Sequence, residues 1–345
     1  MQKKLEQIRF YLEELLQTEK LAGIAVGITD GEKLLFSEGF GVESAERPEV
    51  KVTGKSLFRI ASVTKIFTGL TLLSLVEEGL LSLTAPVKEV LPWLCLADKE
   101  TEEKVTLHHL LSHTSGLEAE YTPDGDREES ALEKSLREGL PGAKILFPLG
   151  QGYQYSNWGI RLASAMGEKV TGKPFSALVQ ERIITPLGME RTTFDLHVAA
   201  TYPLCLAHRE ENGVFRVCHR IQENAARYAA GGLFSNAEDL CRLARCLLNE
   251  GKNDENEMIV SKETIDLMKR KISHCKAYDG YGLTMLQDDF DGSKIYGHLG
   301  NAEPYNSSLI FHPKSGFGVV TLMNTHRLPL RMEIPKKILS ILTEE

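Results

Sequence analysis

Strand-like segments stand near the two ends of this chain and not in its middle, and that separation constrains the fold more than any other feature. Ile24-Ala-Val-Gly-Ile-Thr-Asp30 and Glu32-Lys-Leu-Leu-Phe-Ser-Glu-Gly-Phe40 meet at Asp30-Gly31, a short hairpin signal. Far downstream, Ser308-Leu-Ile-Phe311 and Phe317-Gly-Val-Val-Thr-Leu-Met323 flank Pro313-Lys-Ser-Gly316 with the same turn chemistry. The two hairpins are expected to join one antiparallel sheet, so the chain between them must leave the sheet and return. From about Leu83 to about Ala230 it breaks instead into helical pieces punctuated by Pro, Gly and charged turns such as residues 123–129. Leu5, Ile8, Leu12, Leu15 and Leu16 lie at helical spacing and predict a surface helix at the start; Leu328 to Leu342 predicts a closing one. The expected fold class is α/β: an antiparallel sheet flanked by helices, with an inserted all-helical subdomain. With 345 residues, more than one core usually absorbs, the chain is expected to divide as 1–82 and 231–345 for the α/β part and 83–230 for the helical part.

Charge and apolar runs narrow the function. A formal net charge of -8 argues against nucleic acid or an anionic membrane as the main partner, leaving a small molecule. No run approaches the roughly 18 apolar residues that cross a bilayer, and Glu6, Glu13 and Glu14 interrupt any leader-like stretch. Six cysteines without CxxC pairing fit a reducing, cytoplasmic setting. Oligomeric state is not legible.

Two motifs are decoys. Thr53-Gly-Lys-Ser56 ends like a phosphate-binding loop, but Glu49 stands where its leading glycine belongs. His109 and His113 have the spacing of a zinc pair, but the glutamate such a pair needs is Leu110 and no third ligand is well spaced, so neither a metal nor an organic cofactor is expected.

Ser62 and Lys65 carry more. Three residues apart on a helix, they share a face, and the apolar run behind them (Ile66, Phe67, Leu70) would desolvate the lysine and favour its neutral, proton-accepting form. A serine at a helix start also lies near unpaired backbone N–H groups able to hold an oxyanion. Ser273-His-Cys-Lys276 has the same spacing with no apolar helix behind it and serves as an internal control. Tyr155-Ser-Asn157 offers a phenol to relay a proton and an amide to bind substrate. Tyr296-Gly-His-Leu-Gly300 places a histidine beside a glycine that permits close approach of a strand edge.

Ser62-Val-Thr-Lys65, Tyr155-Ser-Asn157 and His298-Leu-Gly300 together resemble, in type and order, the three motifs of serine β-lactamases and penicillin-binding proteins, in the tyrosine-bearing class C-like branch with its esterase and D-amino-acid peptidase relatives. Leu110-Leu-Ser-His-Thr-Ser-Gly-Leu117, Pro186-Leu-Gly-Met189 and the run from Gly231 to Leu240 are similar to that branch too, so the resemblance covers nearly the whole chain. It implies an acyl-enzyme on Ser62 with Lys65 and Tyr155 sharing proton transfer, Asn157, His298, Gly300 and Asn301 on the substrate, and the backbone N–H groups of Ser62 and Asn301 as oxyanion hole. Most β-lactamases carry lysine where this chain has His298, and Glu303-Pro-Tyr305 follows where relatives often have smaller residues. The substrate is therefore expected to be an ester, amide or peptide, with at most weak turnover of β-lactams. A D-amino-acid peptidase or an acyltransferase would use the same residues; a catalytically silent ligand-binding relative is the alternative from a different class.

Overall fold

The computed structural model describes residues 1–120, 125–128 and 130–344; the charged turn expected over 123–129 lies partly outside them. The strands are β1 Gly23–Thr29, β2 Leu34–Gly41, β3 Phe58–Arg59, β4 His208–Glu211, β5 Val214–Val217, β6 Phe234–Ser235, β7 Ser273–Cys275, β8 Tyr278–Tyr281, β9 Leu286–Phe290, β10 Ser293–Ala302, β11 Tyr305–His312 and β12 Phe317–Met323. Eight of them form one antiparallel sheet in the order β2-β1-β12-β11-β10-β9-β8-β7. The expected hairpins meet in its interior, where β1 pairs with β12 from Ile24 opposite Met323 to Thr29 opposite Gly318.

Period-two alternation assigns the two faces of this sheet. Ile24, Val26 and Ile28 of β1 with Val319 and Met323 of β12 face helices α1 (Gln2–Thr18) and, at the other end of the chain, Leu330–Thr343, whose Ile334, Ile338 and Leu339 complete that layer. Ala25, Val320 and Leu322 face the opposite way, into the larger core. There lie α2 (Thr64–Glu77), α3 (Leu107–Leu111), α4 (Asn157–Thr171), α5 (Tyr228–Gly231) and α6 (Ala237–Leu248); the closing helix Leu330–Thr343 is α7.

Helix α2 explains its own odd composition. Every residue from Thr64 to Leu75 is buried, because the helix runs through the middle of the larger core rather than along its surface. Its threonines are satisfied across that core: Thr68 Oγ1 donates to the carbonyl of Ala229 at 2.7 Å, and Thr64 Oγ1 accepts from Leu233 N at 3.3 Å.

The span expected to be all-helical also holds the hairpin β4–β5. Asn212 and Gly213, both at positive φ, turn it, the pairing that a two-residue hairpin favours. None of the six cysteines is paired, and among the described residues no helix is long and apolar enough to cross a membrane.

Candidate active site

Ser62 sits in a single 3-10 turn, Ala61–Val63, that leads into α2. The turn is sharp enough to hold Ala61 at φ +47, a left-handed conformation unusual for a residue with a Cβ. Two neighbours hold it there. Ser307 Oγ donates to the carbonyl of Ile60 at 2.6 Å, and β10 runs so close that a Cβ on Gly300 would lie 2.4 Å from the same oxygen and 2.1 Å from Ser307 Oγ. Glycine at 300 is therefore a steric requirement. It brings the end of β10, with Asn301, beside Ser62, and the two residues line the same clefts.

Lys65 is fully buried. Its Nζ lies 3.0 Å from Ser62 Oγ and 2.6 Å from the carbonyl oxygen of Ala230 in α5. Burial strips the ammonium of water and, with the like charge of Arg227 acting in the same direction, brings its pKa down to about 7. The Tyr155 ring covers the amine at 4.8 Å, and its phenol lies against Ser62, whose hydroxyl offsets part of the upward pKa shift that burial imposes. A serine hydroxyl, a buried amine whose pKa is lowered and a buried phenol whose pKa is raised thus converge. Ser273 is elsewhere: it begins β7, in extended backbone rather than at a helix start.

Asn157 opens α4, one residue after the N-cap Ser156, and its amide donates to the carbonyl of Glu120 at 3.2 Å. It borders the clefts on both sides of Ser62. His298 is arranged differently from a substrate ligand. Its Nδ1 lies 2.7 Å from the carbonyl of Leu299, an acceptor, so Nδ1 carries the proton; Nε2 then accepts from Tyr281 Oη at 3.0 Å. Burial drives its pKa down to about 3, with Lys65 pushing the same way. Both nitrogens are engaged, and the neutral ring serves as a wall against Tyr155, 6.2 Å away between centroids.

Several contributors escaped sequence reasoning. His113 does not share a helical face with His109, because α3 ends at Leu111 and His113 turns back at φ +58. It lies instead under Tyr155, ring centroids 4.5 Å apart, and accepts from the backbone N–H of Ser156. His109 closes a capping box with Thr106. Tyr153 and Tyr281 complete the aromatic floor. The one available signal was the two tyrosines at 153 and 155, since alternate residues of an extended segment face the same way.

Known proteins resemble this chain over most of its length. The family model described as Beta-lactamase matches residues 8–342. Penicillin-binding protein 4 of Amycolatopsis lactamdurans is 28% identical over 284 residues, 80% of this chain and 74% of that protein. The octameric penicillin-binding protein homologue from Pyrococcus abyssi superposes with a TM-score of 0.86 at 26% identity, over 98% of this chain and 77% of that one. A D-stereospecific amidohydrolase from Streptomyces sp. does so with a TM-score of 0.74 at 25% identity, over 93% and 95%. The chain spans only 63% of the protein flp of Staphylococcus aureus (strain MW2), to which it is 24% identical over 92% of its own length.

Proposed function

The chain belongs to the Beta-lactamase family, and from that premise we propose that it is a serine hydrolase that cleaves a carboxylic ester or amide through an acyl-enzyme on Ser62. The observation that carries this reading is the amine of Lys65, buried with no carboxylate partner among the described residues and 3.0 Å from Ser62 Oγ.

Lys65, with its pKa near 7, takes the Ser62 proton as Oγ attacks the substrate carbonyl. The resulting oxyanion lies between the backbone N–H groups of Ser62 and Asn301. Tyr155, held protonated by burial, donates its proton to the departing alkoxide or amine and recovers one from Lys65. Water then adds to the ester carbonyl of the acyl-enzyme, giving up a proton through the same pair, and the acid leaves with Ser62 restored. In this scheme Asn157 binds the substrate's polar edge and Gly300 sets the approach of β10, while His298 shapes the site without meeting the substrate's charge. Similarity to a D-stereospecific amidohydrolase favours amides and D-amino-acid peptides as a second reading over β-lactams. An acyltransferase would differ only in the acceptor that replaces water.

Intact mass spectrometry after exposure to a fluorophosphonate and a 4-nitrophenyl ester tests the proposal, with wild type beside Ser62→Ala and Ser273→Ala. Loss of the adduct in the first variant alone is expected. A wild-type protein that forms no adduct and hydrolyses nothing in a broad ester, β-lactam and D-peptide panel would establish a catalytically silent relative instead.

A further inference from the structure

Tyr155 stands on backbone that belongs to no helix or strand: residues 153–156 are irregular, and α4 begins only at Asn157. A side chain there is fixed by whatever holds the main chain on either side of it. On one side Gln154 N donates to the carbonyl of His113 at 2.9 Å; on the other Ser156 N donates to ring nitrogen Nδ1 of the same His113 at 3.2 Å. The imidazole meanwhile lies against the phenol ring, 4.5 Å between centroids and tilted by 43°. One residue thus holds Tyr155 before, after and beneath.

His113 is costly to keep in this pose. Its φ of +58 lies in the left-handed region, where a residue with a Cβ persists only when its surroundings over-determine it. Because Nδ1 accepts, the ring proton sits on Nε2, which is buried and has no hydrogen-bond partner among the described residues. A phenylalanine would fill the space between Tyr153, Tyr155 and Tyr281 without that orphan donor. The ring also stays neutral, as an acceptor must: burial lowers its pKa well below the usual histidine value, with Lys65 and His298 acting the same way. The bond to Ser156 N is the contact that requires a nitrogen at this position.

We propose that His113 is the positioning residue of the proton relay: Nδ1, by holding the Ser156 N–H, and the ring, by backing the phenol, aim the Tyr155 hydroxyl at Ser62 and the leaving group. This rests on the hydrolase reading above, in which Tyr155 protonates the departing group, and adds the residue that points it. Loss of that aim is felt in proportion to the departing group's need for a proton. A 4-nitrophenolate leaves readily without one, whereas an alkoxide does not. A residue that only packed would slow every substrate alike.

Butanoate esters of 4-nitrophenol, phenol and ethanol test it, compared by kcat/KM, which reads the steps up to loss of the alcohol. His113→Phe keeps a ring and loses the acceptor; His113→Gln carries its amide past the place of Nδ1. Each should lose at least about tenfold more on the ethyl ester than on the 4-nitrophenyl ester, a ratio that does not depend on how much of the preparation is folded. His113→Asn, whose Oδ1 falls near the place of Nδ1 and which tolerates left-handed backbone, should return to within about threefold of wild type on all three. Added to Tyr155→Phe, His113→Phe should cost no more than about threefold further on the phenyl ester, since no phenol proton is left to aim. Equal losses on all three esters, or an undiminished loss in the Tyr155→Phe background, would overturn the inference while leaving the hydrolase reading intact. Failure of the wild type to turn over any of the three, together with no fluorophosphonate adduct on Ser62, would remove the hydrolase reading and this inference with it.

Discussion

Replacing Lys65 by methionine should make this protein more stable while abolishing its chemistry, by an amount that depends on pH. Lysine's ordinary pKa of 10.5 falls to about 7 in the folded state because the amine is buried, with the charge of Arg227 acting the same way and no acidic partner among the described residues. The folded protein therefore sheds this proton first. Between about pH 7 and 10.5 the unfolded chain holds more protons, so the wild type gains stability as pH rises through that window; below it the penalty is constant. Converted at 1.36 kcal/mol per pKa unit, the penalty is roughly 4 kcal/mol at pH 7 and roughly 2 at pH 9. Methionine fills a similar volume without charge, but leaves Ser62 Oγ and the Ala230 carbonyl without their amine, at about 1–2 kcal/mol. Urea denaturation should therefore find Lys65→Met more stable by about 2–3 kcal/mol at pH 7, with the gap closing by roughly 2 kcal/mol at pH 9. A gap of constant size across that range, or a variant less stable than wild type at pH 7, would refute the claim that the amine is desolvated with no acidic group beside it.

Four further outcomes follow from the same geometry. If neutral Lys65 is the base, kcat/KM for a non-ionising ester rises with pH through about 7 and then levels; a profile flat from pH 5.5 to 8.5 would assign the base elsewhere. Tyr155→Phe should lower kcat at least about a hundredfold, read from steady-state ester hydrolysis, since it removes a proton-transfer group. Gly300→Ala places a Cβ against the Ile60 carbonyl and should cost about 1–3 kcal/mol in urea titrations, with fluorophosphonate labelling slowed by as much as about a hundredfold through displacement of the serine turn. Tyr281→Phe leaves buried His298 Nε2 without its donor; a loss of about 1–3 kcal/mol is expected, and an unchanged urea midpoint would show that the hydroxyl is not needed there.

Local chemistry made the ends of the chain readable. Phe317–Met323 alternates and is bounded by turn residues, and β12 occupies those same residues. The sheet's other edge was not readable. β7 to β9 contain Asp279, Gly280, Asp288 and Asp289, residues that rarely mark strands, and they are held by pairing to β10 rather than by their own preference. Ser62, Lys65 and Tyr155, which the fold brings together, stood out in the sequence because their motifs are local and carry distinctive chemistry. His298 illustrates the limit: its identity was legible, but the direction of its ring depends on Tyr281, seventeen residues away in sequence and across two strands.

The pairing of β1 with β12 has a consequence for how the protein comes into being. Strands from the first and last parts of the chain lie side by side in the sheet, and the turn bearing Ser62 is braced by Gly300 and Ser307, more than two hundred residues later. A ribosome must release the chain past Ser307 before that brace can close, and contacts of such long sequence separation form slowly. Until they do, the helical segment can collapse around α2 on its own, but the serine lacks the wall that shapes it. The turn bearing Ser62 thus takes its final shape late, after the strands that brace it have been delivered.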